Sequence, residues 1–324
     1  MVFGLLKDRV GGVREMEMSR INADRAHPLV YVVILNWNGW QDTLVCVRSL
    51  KRSDYTNLQI VVVDNNSQDE SISRIRESYP DIALIETRRN LGFAGGNNVG
   101  IRFALDNGAD YVFVLNNDTY VASDCVSNLV NFAISCPHAA LLGPKIYDAG
   151  TEVYRQWAVK SRLSFWSILW ILSPFRRLIY DTAFFRNFFY TSDQAARVYA
   201  VPGSAMFFNA EVLEKIGLFD EQTFLYWEEF IVAEKLYRLG LPTYVVPQAV
   251  IWHKESASIS KIGARKFIEN VKSETYFVRK YLGFSPIESA ILRFIRLAAY
   301  LGRCTKQSEY RSNLGKFLRV FLSI

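Results

Sequence analysis

Four short apolar runs, each followed by polar residues and then by a helix-like segment, constrain the fold of this chain more than any other feature. The runs cover residues 30–35, 58–63, 82–86 and 112–115. Strands that alternate with helices pair in parallel through right-handed crossovers, which brings the carboxyl ends of all four strands to one edge of the sheet. The sequence therefore predicts an α/β fold with a mostly parallel central sheet.

Polar residues at these four strand ends are candidates for a ligand site, because ligands in open α/β sheets bind beyond the carboxyl ends of the strands. The residues are Asn36, Asp64, the turn that begins at Arg89, and the triplet Asn116, Asn117 and Asp118. Each of them alone is equally consistent with an ordinary Asn/Asp turn. Four such ends at one edge predict a binding site, and a nucleotide is the ligand that suits it best.

The sequence also predicts how two helices in this region begin. Ser67 or Asn66 is expected to cap the helix that follows the second strand. The glycine-rich stretch 89–98 is expected to form a turn that opens a helix from about residue 99 to 107. Glycines let a backbone approach a ligand closely, and arginines near a helix N-terminus favour an anion such as phosphate. A tight strand-to-helix connection explains the glycines equally well, and Ala94 breaks the dinucleotide-binding fingerprint.

Composition excludes several classes of protein. A chain of 324 residues with 50% hydrophobic content is large enough to bury a substantial core. Its four cysteines form no C-x-x-C pair, so we expect reduced thiols, a cytoplasmic location and no structural zinc. No uncharged apolar run approaches the roughly 20 residues that a membrane-spanning helix needs. We therefore expect a chain that does not cross a bilayer.

The net charge of +6 belongs to the C-terminus, where residues 254–324 hold 14 Lys and Arg against 5 Asp and Glu. These basic residues alternate with Phe, Leu and Ile, so an anionic membrane surface suits them at least as well as nucleic acid, and no nucleic acid is expected. Residues 264–282 predict a helix that ends at Gly283, and a capping box from Ser285 to Glu288 predicts the start of another. These helices are expected either to pack on the preceding domain or to lie on a membrane.

Eight short segments between residues 30 and 255 form an ordered set of motifs. They are 33–39, 62–69, 89–98, 115–118, 202–206, 216–221, 224–229 and 252–254, and they include Leu-Asn-Asn-Asp at 115–118 and Trp-His-Lys at 252–254. This set resembles family 2 glycosyltransferases, in particular the rhamnosyltransferase-like branch, with the galactofuranosyltransferases nearby. The resemblance implies the GT-A fold, which is a Rossmann-like nucleotide-sugar transferase fold. It also implies that the chain is a metal-dependent inverting glycosyltransferase.

The resemblance also implies which residues bind the donor. Nucleotide-sugar contacts fall on Asn36, Asp64, Asn65, Arg89, Asn90, Gly92, Asn97, Asn116 and Asn117. Asp118 is implied as the metal-binding carboxylate, with His253 as a second ligand for Mg²⁺ or Mn²⁺. Both ions prefer oxygen ligands and also bind the donor's diphosphate, so the protein need supply only one or two ligands. His253 taken alone is more often a buried core histidine.

The catalytic residues implied by the resemblance are Glu229, as the base that deprotonates the acceptor hydroxyl, and Glu228 as the alternative base. Gly203, Ser204 and Trp227 are implied on the acceptor side of the site. Without the resemblance, two acidic residues in the first turn of a helix are explained by their favourable interaction with the helix dipole.

The chain departs from the family pattern at four positions. The departures are Asn116 for an aspartate, Glu229 for an aspartate, Ile231 for an acidic residue and Lys235 for an arginine. They motivate the alternative of a catalytically silent nucleotide-sugar-binding or scaffold protein, and the basic C-terminus motivates a third hypothesis, nucleic-acid binding. Our first expectation is transfer of rhamnose from dTDP-rhamnose, with a UDP-sugar as second choice, to a saccharide or lipid-linked acceptor in cell-surface polysaccharide synthesis.

We expect three regions along the chain. These are a flexible extension (1–28), a GT-A domain (29–255) and a basic amphipathic helical appendage (256–324). The domain is expected to divide into a nucleotide-binding half (29–120) and an acceptor half (121–255) with an aromatic insertion (154–199) that faces a membrane or packs in the core. Membrane contact would make this cytoplasmic protein peripheral on the cytoplasmic face of the membrane.

Overall fold

A computed structural model describes residues 27–149, 158–172, 190, 193–254 and 263–323. In these ranges nine strands form one sheet in the order β3-β2-β1-β4-β8-β6-β9-β5, with β7 also paired to β9. The strands are β1 (Val30–Asn36), β2 (Leu58–Asp64), β3 (Ala83–Glu86), β4 (Tyr111–Asn116), β5 (Thr119–Val121), β6 (Leu141–Asp148), β7 (Ala196–Val198), β8 (Ala205–Asn209) and β9 (Thr243–His253). Strands β5, β7 and β8 run against the other six, which confirms a mostly parallel α/β sheet.

Helices cover both faces of this sheet and form the C-terminal part of the chain. Those before β9 are α1 (Trp40–Leu50), α2 (Ser71–Ser78), α3 (Gly92–Asp106), α4 (Cys125–Ser135), α5 (Phe165–Leu172), α6 (Ala210–Lys215) and α7 (Glu228–Arg238). Those after it are α8 (Ala264–Tyr276), α9 (Pro286–Cys304), α10 (Ser308–Ser312) and α11 (Leu314–Ser323). The extension at residues 1–26 and the segments 150–157, 173–189 and 191–192 of the aromatic insertion lie outside the described residues.

The predicted convergence of strand ends is confirmed by the strand register. Asn36 pairs with Asp64 across β1 and β2, and Leu35 pairs with Asn116 across β1 and β4. Strand β9 runs in the same direction, and its last residue, His253, pairs with Thr119 at the start of β5. The polar ends of β1, β2, β4 and β9 therefore share one edge of the sheet.

The start of α3 corrects the prediction of a glycine-rich loop. This helix begins at Gly92, about seven residues earlier than expected, so most of the glycines lie inside its first turns. A Cβ atom on Gly96 would lie 2.5 Å from Leu35 Cδ1, and one on Gly100 would overlap Val33 Cγ1. Gly96 and Gly100 therefore let α3 pack closely against β1.

The predicted cap of α2 is also wrong. Glu70 is the N-cap residue, and the Oδ1 atom of Asp69 accepts a hydrogen bond from the Ser71 backbone N–H at 3.0 Å. Ser67 lies before this turn, and its hydroxyl oxygen accepts a hydrogen bond from the Asn38 backbone N–H at 2.9 Å. Ser67 therefore stabilises the loops at the carboxyl edge of the sheet instead of the helix.

The core has two main layers, because successive strand residues point to opposite faces of the sheet. Ile34 and Phe113 pack on one face with helices α1 and α4. Val33 and Val112 pack on the other face with helices α3 and α7. A third buried cluster lies beyond α7, as seen from the sheet, and joins α7 to α5, α8 and α9. The C-terminal helices are thus joined to the sheet through α7.

The predicted C-terminal helices are confirmed. Helix α8 continues as one π-helical turn, Phe277–Tyr281, before Gly283 adopts a φ of +69°. Both hydrogen bonds of the capping box between Ser285 and Glu288 are present at the start of α9. The hydroxyl group of Tyr276 donates to Asp220 at 2.7 Å, which ties α8 to the loop before α7. Within the described part of the chain, no helix combines the length and apolarity needed to span a bilayer.

Candidate functional site

A hydrogen-bonded network joins the ends of β1 and β2. The fully buried Asn36 donates from Nδ2 to Asp64 Oδ2 at 2.8 Å and accepts at Oδ1 from the Thr43 hydroxyl at 2.7 Å. The other carboxylate oxygen of Asp64 accepts from the Ser67 backbone N–H at 2.8 Å. Asp64 is itself fully buried, so both implied donor-binding residues hold the strand ends and loops in place.

A second network shapes the turn between β3 and α3. Asn65 donates from Nδ2 to Asn90 Oδ1 at 3.1 Å and to the Gly92 carbonyl at 3.0 Å. Its Oδ1 accepts from the Leu91 backbone N–H at 2.8 Å. The implied residues Asn65, Asn90 and Gly92 are therefore brought together, and the exposed Arg89 side chain lies just before them. Asn97 lies inside α3, and its buried Oδ1 has no hydrogen-bond partner among the described residues.

A cavity of about 220 Å³ opens beside these networks. Its lining residues come from β1, the turns before α3 and α7, and the first turns of α8: Leu35, Trp37, Asn65, Asn90, Gly92, Phe93, Phe224, Leu225, Arg265, Lys266 and Glu269. Trp37 and Phe224 offer aromatic surface, and Arg265 and Lys266 offer positive charge. Sequence reasoning missed these four residues, although Trp37 and Phe224 lie within the motifs. The predicted appendage thus supplies one wall of a cavity whose other walls come from residues 35–93 and 224–225.

The ends of β4 and β9 bring Asp118 and His253 together. Asp118 Oδ1 lies 2.9 Å from His253 Nε2, and the two side chains are only 16% and 19% exposed. The amide nitrogen of Asn116 lies 3.4 Å from the same histidine nitrogen. Among the described residues no group of three or more His, Cys, Asp or Glu side chains is placed to hold a metal ion. The pair provides two ligands, which suits a divalent cation whose remaining ligands are diphosphate oxygens and water.

Asn117 turns away from this pair. Its amide nitrogen donates to the Gly39 carbonyl at 3.2 Å and to the Thr43 hydroxyl at 3.0 Å. Thr43 in turn donates to Asn36, so Asn117 connects the Asp118 corner to the network at the ends of β1 and β2.

The turn into α7 has a strained backbone. Tyr226 and Trp227 have φ values of +75° and +72°, and consecutive non-glycine residues rarely adopt this left-handed conformation. The Trp227 ring stacks on Phe277 of the π-helical turn, with ring centroids 5.4 Å apart. This contact with the C-terminal helices holds the turn, and α7 then begins with Glu228 and Glu229.

The two glutamates have different environments. Glu228 is 4% exposed, and its Oε1 has no hydrogen-bond partner among the described residues. Burial, with a smaller contribution from the charge of Glu229, raises the pKa of Glu228 to about 8. Glu229 is partly exposed, and burial raises the pKa of its carboxyl group as well. Glu229 is therefore the more accessible of the two carboxyl groups.

The loop that contains Gly203 and Ser204 joins Glu229 to the Asp118 corner. A Cβ atom on Gly203 would lie 3.5 Å from Glu229 Oε2, so this loop lies directly against the carboxylate. The Ser204 carbonyl accepts a hydrogen bond from the Asn116 backbone N–H at 2.9 Å. A series of contacts thus runs from Glu229 through the Gly203 loop to Asn116, which lies beside the pair of Asp118 and His253; we call this series one continuous surface.

Two departures from the family pattern have structural explanations. Ile231 is 1% exposed and packs in the cluster that joins α7 to α8 and α9. Lys235 donates from Nζ to the Leu218 carbonyl at 2.7 Å. A buried acid occurs further along the helix, where Glu234 accepts hydrogen bonds from the side chains of Arg162 and Arg238 and from the Tyr199 hydroxyl.

The buried carboxyl group of Glu228 predicts a pH-dependent stability. The unfolded side chain ionises near its ordinary pKa of 4.5, whereas the folded protein keeps the proton up to about pH 8. Because the folded state binds more protons in this window, stability falls as pH rises from about 5 to 8, by on the order of 3 kcal/mol. Glu228→Gln is expected to flatten this fall, measured by urea unfolding across the window. The exposed Glu211→Gln serves as control, and equal slopes for all three proteins would contradict the buried proton.

Sequence comparisons with known proteins bear on the family of this chain. The model of the family described as Glycosyl transferase family 2 matches residues 31–201, more than half of the chain. The N-acetylglucosaminyl-diphospho-decaprenol L-rhamnosyltransferase of Mycobacterium tuberculosis is 26% identical over 239 residues, which cover 71% of this chain and 77% of the relative.

Two solved structures share the fold. The mannosyltransferase PcManGT from Pyrobaculum calidifontis, in complex with GDP-Man and Mn²⁺, has a TM-score of 0.56 and 16% identity, covering 98% of this chain and 90% of its own. GalNAc-T7 with UDP, GalNAc and Mn²⁺ has a TM-score of 0.57 and 17% identity, covering 79% of this chain and 48% of its own. At these identities the likeness bears on the fold alone, and it confirms the predicted fold.

Proposed function

The chain belongs to glycosyltransferase family 2, and we propose that it transfers a sugar, with inversion, from a nucleotide-sugar donor to an acceptor hydroxyl group. The observation that carries this proposal is the continuous surface from Glu229 through the Gly203 loop to the pair formed by Asp118 and His253. It offers a carboxylate that can act as a base and a carboxylate–histidine pair that suits a divalent cation, both at the carboxyl edge of one sheet, which is where α/β sheets bind ligands.

In the proposed reaction, Glu229 and the pair of Asp118 and His253 have different chemical roles. Glu229 takes the proton from the acceptor hydroxyl, and the acceptor oxygen forms a bond to the anomeric carbon of the sugar. The bond from that carbon to the diphosphate oxygen breaks, and its electron pair leaves with the nucleoside diphosphate. Asp118 and His253 would hold Mg²⁺ or Mn²⁺, and a bound cation supplies positive charge that stabilises the departing diphosphate.

We assign donor binding to the cavity and to the two hydrogen-bonded networks around Asn36 and Asn65. The aromatic surfaces of Trp37 and Phe224 suit the nucleoside, and Arg265 and Lys266 suit the phosphates. Asp64 is held by Asn36 and Ser67, so its part in this assignment is to fix the shape of the cavity edge.

The finer identity of the substrates is also a proposal. The Mycobacterium tuberculosis relative is named for L-rhamnosyl transfer to a diphospho-decaprenol-linked N-acetylglucosamine. This supports dTDP-rhamnose as the first donor for this chain, with a UDP-sugar as the second. It also supports a lipid-linked saccharide acceptor in cell-surface polysaccharide synthesis, and therefore a place on the cytoplasmic face of a membrane.

A donor panel tests the proposal. The purified full-length chain is incubated with dTDP-rhamnose, UDP-sugars and GDP-mannose, with and without Mn²⁺, and release of nucleoside diphosphate is measured. We expect turnover that is fastest with dTDP-rhamnose and that is lost with a chelator. Binding of a donor without any turnover would support the silent scaffold instead. Turnover that is unaffected by the chelator would remove the metal from the mechanism.

A further inference from the structure

Helix α9 carries a row of apolar residues on its outward side. The row, with alternating spacings of four and three residues, is Ile287, Ile291, Phe294, Ala298 and Leu301. All five are exposed, including 75% of Ile287 and 62% of Phe294. Surface helices normally turn such a row toward the core. The inward side of α9 already carries the buried Leu292 and Tyr300, so this outer row is a second apolar side.

Neighbouring helices extend this row into a wider surface. On α5, which packs against α9, Trp166 and Trp170 are 66% and 46% exposed. Phe294 contacts Phe321 of α11 edge to face, with ring centroids 5.9 Å apart. Leu322 of α11 is 81% exposed. We call the α9 row together with Trp166, Trp170, Leu318 and Leu322 the apolar face.

Positive charge borders the apolar face at α10 and α11. Lys306, Arg311, Lys316 and Arg319 are exposed, and none of them forms an ion pair with a carboxylate in the described part of the chain. The one carboxylate of α9, Glu288, is held by Ser285 in the capping box. Apolar side chains bordered by unpaired cations are the composition that binds the interface of an anionic bilayer.

The same helices contact the catalytic part of the chain. Leu292 of α9 and Phe277 of the π-helical turn share one buried cluster, and Phe277 stacks on Trp227 at the start of α7. A surface that holds α9 would therefore be linked through this cluster to the turn that precedes Glu229. This arrangement would present a lipid-linked acceptor to the site without requiring its lipid to leave the bilayer.

We propose that the apolar face docks this protein on an anionic lipid surface, with Phe294, Ile291 and the two tryptophans in the interface and the cations of α10 and α11 on the headgroups. The choice of acceptor rests on the proposed function, but docking itself requires no turnover. A second copy of this chain is the competing occupant, because a large apolar patch also suits dimerisation.

Vesicle flotation of the full-length chain tests the docking. We expect the protein to float with phosphatidylglycerol-containing vesicles and much less with pure phosphatidylcholine vesicles. The double variant Ile291→Glu/Phe294→Glu should reduce the floated fraction by about tenfold or more, because two charges would enter the interface. Lys316→Glu/Arg319→Glu should reduce flotation with the anionic vesicles only. Thermal unfolding of each variant establishes that it is folded.

Ile134→Glu is the matched control, since Ile134 is 40% exposed on α4, which covers the opposite face of the sheet. It should float like the wild type. Wild-type protein that stays in solution with anionic vesicles, or a double variant that floats unchanged, overturns the proposal. A wild-type dimer that the double variant converts to monomer, with neither form floating, assigns the apolar face to self-association instead. Flotation without turnover in the donor panel would contradict the proposed function and leave docking standing.

Discussion

Glu229→Gln is expected to lower kcat by about 10²- to 10⁴-fold, the usual contribution of a general base. The amide cannot accept the acceptor's proton, yet it keeps the size and partial exposure of the side chain beside Gly203. The KM for the donor should change little, because in the proposed reaction the carboxylate contacts the acceptor hydroxyl and not the donor. Since burial raises the pKa of Glu229, wild-type kcat should rise with pH through an apparent pKa above the ordinary value for glutamate. Steady-state release of nucleoside diphosphate measures both effects.

Two further glutamate-to-glutamine substitutions test whether this effect is specific to Glu229. Glu211 lies in the first turn of α6, as Glu229 does in α7, so Glu211→Gln removes a comparable helix-dipole interaction far from the reaction and should leave kcat unchanged. Glu228→Gln replaces a carboxyl group that is already protonated at neutral pH and should cost much less activity than Glu229→Gln. If Glu228→Gln abolished turnover while Glu229→Gln retained it, the two roles would be exchanged.

The sheet and the edge that carries the site were predictable from local sequence. Strands buried on both faces need continuous apolar runs, and all four predicted runs are strands of the parallel half of the sheet. Parallel pairing through right-handed crossovers then brings the carboxyl ends to one edge, so the meeting of Asn36, Asp64 and Asn116 needed no tertiary information. The resemblance to family 2 glycosyltransferases is confirmed by the family match.

The directions of the polar side chains were not predictable, because they depend on partners far away in sequence. Asn65 and Asn117 are of the same residue type and follow the ends of β2 and β4, yet each bonds to a different loop. The sequence left the role of the α3 glycines open for a related reason. A glycine allows the close approach of whatever lies opposite it, which can be a ligand or a strand. Leu35 lies opposite Gly96, and Val33 lies opposite Gly100.

The cavity wall from α8 had no sequence signal at all. Arg265 and Lys266 lie outside the motifs and beyond the region matched by the family model, which ends at residue 201. Their position depends on the packing of α8, which is tied to the domain by Tyr276 and Ser273. A basic helix of this kind is equally compatible with a free appendage until those contacts are known.

Asp118→Ala is expected to abolish Mn²⁺-dependent transfer, with a fall in kcat/KM of about 10²-fold or more, because the cation would lose its carboxylate ligand. His253→Ala should have a smaller effect, since it leaves the charged member of the pair. Mn²⁺ affinity in the presence of the nucleoside diphosphate gives a readout that is independent of turnover. We expect Asp118→Ala to weaken it strongly while the melting temperature changes little, because a single side-chain hydrogen bond contributes on the order of 1 kcal/mol to stability.

Asp81→Ala is the matched control for this prediction. Asp81 is an exposed carboxylate that pairs with Lys51 just before β3, at the opposite edge of the sheet from Asp118. Asp81→Ala changes the net charge by the same amount as Asp118→Ala, and it should leave both Mn²⁺ affinity and turnover unaltered. Full activity of Asp118→Ala would remove this carboxylate from the mechanism. Lost activity with unchanged Mn²⁺ affinity would instead assign Asp118 to orienting His253, because the 2.9 Å contact between them would then be its main role.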